Sequence, residues 1–254
     1  LYASVLPASD NPEVWVSDSD GLNWSKNQDY SDALLTIVNG GTFYNRMIVF
    51  NNTLYVIASF SSEGTGVLVL KTGDGTTWDI SYPETLQTVT QINTVQVYND
   101  KLYLFGRSDS GLVIFRTSDG TNFDVVGSPE LDTDLFLENM CYAFTSQIFN
   151  NKLYVGVSDD GTGDNAQVWY TSDGTTWQKT SGGMDGYELN EKVTSSFVFN
   201  NQLYMVTYSF SGGSSIHLFK SSDGETWSDV HAGGLPSQMG FKFAASGPLV
   251  RSSY

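Results

Sequence analysis

The chain has 254 residues, 40% hydrophobic and 14% aromatic, which is ample for a sizeable core and excludes a disordered chain. Twelve Lys and Arg stand against 28 Asp and Glu, and the resulting net charge of −16 argues against nucleic acid or an anionic membrane as partner. No apolar run approaches the roughly 20 residues of a membrane span, and Cys141, being alone, forms no intrachain disulfide.

In chain order, Leu1-Tyr2 precedes Val14 by 13 residues, as Leu54 precedes Val67. The chain therefore reads as starting on the second strand of a repeating unit, and as a mature form or part of a longer polypeptide. The first unit ends in Asp20-Gly21 followed by Trp24. Phe50-Asn51-Asn52-Thr53-Leu54-Tyr55-Val56 then leads to Asp74-Gly75 and Trp78. Tyr98-Asn99-Asp100-Lys101-Leu102-Tyr103-Leu104 leads to Asp119-Gly120 and Phe123. Phe149-Asn150-Asn151-Lys152-Leu153-Tyr154-Val155 leads to Asp173-Gly174 and Trp177. Phe199-Asn200-Asn201-Gln202-Leu203-Tyr204-Met205 leads to Asp223-Gly224 and Trp227.

Successive rings lie 54, 45, 54 and 50 residues apart, a period that marks a repeat architecture. Asn-Asn, Asn-Asp and Asp-Gly pairs tolerate the positive φ of tight hairpins, so each unit reads as four antiparallel strands. In the fourth unit these strands are expected near 145–149, 153–158, 167–171 and 176–179. The middle strands are apolar on both faces, as in Leu153-Tyr154-Val155-Gly156-Val157, which requires cover on both sides of the sheet. The expectation is an all-β fold: one β-propeller of five four-stranded blades, spanning 1–42 plus 240–249, 43–93, 94–139, 140–192 and 193–239. The stretch 243–249 aligns with Phe197–Leu203, so the termini are expected to close the ring within one blade. Val250–Tyr254 competes with Leu1-Tyr2 for the second strand, and a five-blade excerpt of a larger ring stays open.

Thr171-Ser172-Asp173-Gly174-Thr175-Thr176-Trp177 resembles the Asp-box (BNR) repeat of sialidases and many secreted bacterial propellers, written Ser-x-Asp-x-Gly-x-Thr-Trp. Here Asp and Gly are adjacent, one residue short. The first position is Asp18 in the first copy, and the third copy ends in Phe123. The resemblance implies that the motif turns between the third and fourth strands, on the side away from any active site, with its ring packed into the blade. On this reading Asp20, Trp24, Asp74, Trp78, Asp119, Phe123, Asp173, Trp177, Asp223 and Trp227 are structural. The resemblance also implies carbohydrate-related function, because such propellers include carbohydrate-active and lectin-like proteins.

Enzymatic chemistry finds little support. A sialidase-like site needs three converging arginines, and the chain has only Arg46, Arg107, Arg116 and Arg251, with Arg116 in the slot of Lys71 and Lys220. A glycosidase of another family needs two or three axial carboxylates. The expected inner strands 45–50, 93–98, 144–149, 194–199 and 240–245 contain no Asp or Glu, while Glu138 and Glu191 lie just upstream. His217 and His231 accompany no nucleophile or zinc cluster.

The turns of one end repeat almost verbatim, whereas the connections at the other end vary, and variable loops on a rigid scaffold carry binding. Tyr30, Tyr82, Glu84, Phe136, Glu138, Tyr187 and Glu188 lie there, with Arg46 on an inner strand, as candidate ligand contacts. A ring stacks on a sugar's C–H face while a carboxylate accepts from its hydroxyls. No cofactor is needed, although Asp159, Asp160 and Asp164 crowd oxygen donors into a loop that suits calcium. The expectation is a non-catalytic secreted or surface module that binds a glycan. A glycoside hydrolase and an adhesive module that binds a surface protein are the alternatives.

Overall fold

The computed structural model describes residues 1–5, 13–35, 42–62, 64–128, 140–159, 166–181, 192–208 and 216–230. Strands β1 (Tyr2–Val5), β2 (Glu13–Ser17) and β3 (Trp24–Lys26) form the first sheet, and helix α1 (Gln28–Leu35) follows. The second sheet contains β4 (Thr42–Phe50), β5 (Thr53–Ser62), β6 (Gly64–Thr72) and β7 (Asp79–Ser81), with a short 3₁₀ turn at Glu84–Thr88. The third contains β8 (Gln91–Tyr98), β9 (Lys101–Ser108), β10 (Gly111–Thr117) and β11 (Asp124–Gly127). The fourth contains β12 (Met140–Phe149), β13 (Lys152–Asp159), β14 (Gln167–Thr171) and β15 (Gln178–Lys179). The fifth contains β16 (Lys192–Phe199), β17 (Gln202–Tyr208), β18 (Ile216–Ser221) and β19 (Ser228–Asp229). Each sheet is an antiparallel meander in chain order.

The first hairpin of each complete sheet is set by its Asn-Asn or Asn-Asp pair. Asn51 and Asn52 adopt φ of 49° and 58°, and Asn150 and Asn151 adopt 45° and 57°, the left-handed geometry that a two-residue hairpin demands. The expected inner strand of the fourth sheet was too short, since β12 begins at Met140 and absorbs two register shifts before Thr145. The outer strand is shorter than expected and starts at Gln178, because the preceding turn holds Thr175 and Thr176 in its own hydrogen bonds.

The Asp-Gly turns share one construction. Thr72 Oγ1 accepts from the Gly75 N–H at 2.8 Å, while Asp74 Oδ1 accepts from the N–H groups of Thr76 and Thr77, both at 2.8 Å. Thr117 with Asp119, Thr171 with Asp173 and Ser221 with Asp223 repeat it. The first copy differs. Asp18, standing where the others have Thr or Ser, accepts from the N–H groups of Asp20 and Leu22 and from the Asn23 amide.

The hydrophobic core lies between sheets rather than within one. Ile57, Val69, Leu104 and Phe115 join the second and third sheets. Phe105, Ile114, Val155 and Trp177 join the third and fourth, and Tyr154, Val168, Met205 and Trp227 join the fourth and fifth. Val14, Tyr30, Val56 and Leu68 join the first and second. Face-to-face packing of successive sheets explains why middle strands such as β9 and β14 are buried along almost their whole length.

Candidate functional site

The Asn-Asn and Asp-Gly turns occupy one end of the sheets. The opposite end gathers the starts of β8, β12 and β16, the β9–β10 hairpin and the connections between sheets. The two ends divide the labour.

At the turn end the last four copies tie their sheets to the one before. Trp177 packs edge-on against Phe105 of the preceding sheet, 5.9 Å between centroids, and Trp227 donates from Nε1 to Thr180 Oγ1 of the preceding sheet at 3.3 Å. The ring therefore packs between blades, not only into its own. The motif glycine does the same: at Gly75, Gly120, Gly174 and Gly224 a side chain would collide with the hydroxyl of Tyr2, Tyr55, Tyr103 and Tyr154 respectively. Tyr2 thus stands to Gly75 as Tyr55 stands to Gly120. Trp24 departs from the expectation of a packed ring: it is 41% exposed, against 3% for Trp177. Backbone donors, Thr77 N–H first for Asp74 and Asn122 N–H first for Asp119, hold those carboxyls far below the usual carboxylate range. Thr176 and Thr226 act in the same way on Asp173 and Asp223.

The loop end places the expected contacts unevenly. Tyr30 is fully buried in α1. Its hydroxyl accepts from Asn45 Nδ2 at 3.0 Å, its ring meets Trp78 edge-on at 5.2 Å, and burial pushes its phenol well up. Its place is in the packing between the first two sheets, away from solvent. Arg46 is half-buried and donates to the carbonyls of Asn93 and Asn45, tying β4 to β8. Tyr82 is 48% exposed and Glu84 is exposed at the start of the 3₁₀ turn, whose Leu86 anchors it in the core. Phe136, Glu138, Tyr187, Glu188, Asp160 and Asp164 lie outside the described residues, and Asp159 ends β13.

Inner strands meet through hydroxyl pairs: Thr94 with Ser146 at 3.1 Å, and Thr145 with Ser196 at 2.6 Å. The four described inner strands contain no Asp or Glu. At a register shift in β8, Asn93 is buried with neither amide atom hydrogen-bonded among the described residues.

Sequence reasoning missed one cluster. Tyr142 and Phe144 at the start of β12 stack in parallel, 5.2 Å between centroids and 7° between planes. The Arg107 guanidinium, near the end of β9, lies 4.6 Å from the Tyr142 centroid and donates to its hydroxyl. Lys192 Nζ, at the start of β16, lies 5.8 Å from both ring centroids. The readable signal was the Tyr142–Phe144 alternation at the mouth of an inner strand. The sequence marks Arg107 only as one of the four arginines set against a sialidase-like triad.

Among the described residues no three His, Cys, Asp or Glu group as a metal site, and no helix is long and apolar enough to cross a membrane. Five antiparallel sheets packed face to face in chain order define a β-propeller. The chain belongs to the DUF6242 beta propeller domain family, whose model matches residues 18–149, just over half of its length. Among solved structures it is similar to the sialidase of Trypanosoma rangeli with 2,3-difluorosialic acid as a covalent intermediate. That match has 14% identity and a TM-score of 0.54, over 90% of this chain and 42% of the sialidase. It is also similar to a β-fructofuranosidase of Bombyx mori in complex with sucrose (11% identity, TM-score 0.50), over 80% of this chain and 54% of that one. The chain thus spans about half the length of the β-fructofuranosidase and less of the sialidase, and at these identities the likeness is one of fold. No curated protein sequence matches the chain.

Proposed function

We propose that this propeller is a non-catalytic carbohydrate-binding module of a secreted or surface protein, with its ligand held on the loop end. One observation carries the reading: the repeated turns are spent on joining sheets, while the variable connection after β7 exposes both Tyr82 and Glu84, two positions apart. An exposed ring beside a carboxylate offers stacking and hydroxyl acceptance together. The four described inner strands add hydroxyls and contain no Asp or Glu of the kind hydrolysis uses. Calcium at Asp159, Asp160 and Asp164 would assist the same face. A glycan-array screen of the full chain, with and without calcium, tests this: binding in either arm supports it, and silence in both removes it.

We infer further that the five units close into one ring, with 243–249 as the inner strand of the first blade. Three observations support closure. An apolar cavity of about 250 Å³, lined by Leu1, Tyr2, Met47, Ile48 and Val49, lies beside β1, where an inner strand belongs. Gly21 meets Leu1 where its sister glycines meet a tyrosine hydroxyl, and Tyr204 stands in the sequence of the last blade where Tyr55, Tyr103 and Tyr154 stand in theirs. Trp24 of the first blade and Phe199 of the fifth are both exposed, as faces awaiting each other would be.

A further inference from the structure

We propose that Arg107 and Lys192, braced by the stacked rings of Tyr142 and Phe144, recognise the carboxylate of an acidic sugar; this deepens the carbohydrate-binding reading and rests on it.

The four residues come from three successive sheets and meet at the loop end, where β9 finishes and β12 and β16 begin. Such convergence is unusual in a chain with 12 basic residues and a net charge of −16. Three other described cations have evident structural partners. Lys26 pairs with Glu13 at 2.7 Å and Lys152 with Glu225 at 2.9 Å, while Arg46 donates to backbone carbonyls. Arg107 is different. Its partners are a ring face and a phenol hydroxyl, and among the described residues no carboxylate touches it.

A guanidinium has five N–H donors, and the Tyr142 hydroxyl uses the Nη1 side, so Arg107 keeps donors for an oxyanion. Its planar fork matches a carboxylate in a bidentate pair, and Lys192 adds a second positive charge beside the same ring. The rings contribute by holding the cations. A cation over an aromatic face loses part of its rotamer freedom before the ligand arrives, which lowers the cost of binding. The acidic surface does not forbid an anion, because charges beyond about 8 Å are largely screened at physiological salt and the contacting cations decide affinity. Among the described residues no carboxylate offsets the half-buried Arg107, and a uronate supplies that charge where a neutral sugar does not.

The test is calorimetric titration of the full chain with oligosaccharides of galacturonate, glucuronate and mannuronate, each beside its methyl ester, which keeps the ring and hydroxyls and removes the charge. At least one acid is expected to bind about tenfold or more tightly than its ester, and Arg107→Gln to abolish that difference. Arg116→Gln, on a strand away from the cluster, serves as the folded control and is expected to retain it. Equal binding of acids and esters, or binding of neutral array glycans alone, overturns the carboxylate site and leaves the carbohydrate reading intact. Absence of binding to these sugars and to every array glycan overturns both.

Discussion

The hydroxyl of Tyr154 lies against Gly224 of the following sheet, in the space a side chain on that glycine would need. Tyr55 with Gly120 and Tyr103 with Gly174 repeat the contact. In each case the tyrosine also packs at a tilt on the aromatic residue that ends its own inner strand: Phe50 with Tyr55, Tyr98 with Tyr103, Phe149 with Tyr154. Tyr204 breaks the series by stacking in parallel on Phe197 at 4.9 Å, leaving Phe199 60% exposed. One Asp-Gly turn thus serves two sheets: its aspartate organises the local backbone, and its glycine and ring receive the neighbour.

Gly174 has φ of +80°, and its missing side chain makes room for Tyr103. Gly174→Ala combines left-handed strain with steric overlap and is expected to cost roughly 2 kcal/mol or more. Gly73→Ala is the control, since nothing lies within 4 Å of its added carbon and its φ is not positive. Urea titration compares them, and equal midpoints would refute the contact.

Trp177→Ala empties a site between the third and fourth sheets and is expected to destabilise by about 3–5 kcal/mol. Trp24→Ala removes a ring that is 41% exposed and is expected to cost much less. A Trp24 variant as damaging as the Trp177 one would mean that its ring is covered.

The carboxyls of Asp74, Asp119, Asp173 and Asp223 are held low by turn N–H donors, so the unfolded chain binds their protons more readily than the folded one. Their stabilisation is complete above the unfolded value, near about pH 4, and is lost as pH falls through the folded values. Tm should therefore decline below about pH 4, and more gently when all four are Asn, which keeps an acceptor oxygen but does not protonate. Parallel declines in the two proteins would contradict this origin of the acid sensitivity.

Ending the chain after Val230 removes the segment proposed to fill the cavity beside β1. The shortened protein should show a lower Tm and self-associate in sedimentation, since an uncovered sheet face and edge invite pairing. An unchanged Tm and a monomeric truncation would argue against ring closure.

The scaffold was legible because its signals are local. Asn51-Asn52 and Asp74-Gly75 dictate positive φ from adjacent residues, and apolar runs such as Leu153-Tyr154-Val155 declare strands. The site was less legible because it is built from strand ends brought together only by sheet packing. Arg107 and Tyr142 stand 35 positions apart and meet through the β9–β12 junction. Tyr30 illustrates the reverse error. Its place in a variable connection suggested exposure, but Asn27 caps its helix from the N-terminal side, where Asn27 Oδ1 accepts from the Tyr30 N–H at 2.9 Å and turns the ring inward.

The most direct test of the account is amide hydrogen exchange of the full chain with and without a saturating glycan from the array. Carbohydrate binding on the loop end predicts slowed exchange at 82–92, 107–111 and the first residues of β12 and β16, with the Asp-Gly turns unchanged. Slowing confined to the Asp-Gly and Asn-Asn turns, or no change with any glycan, would contradict it.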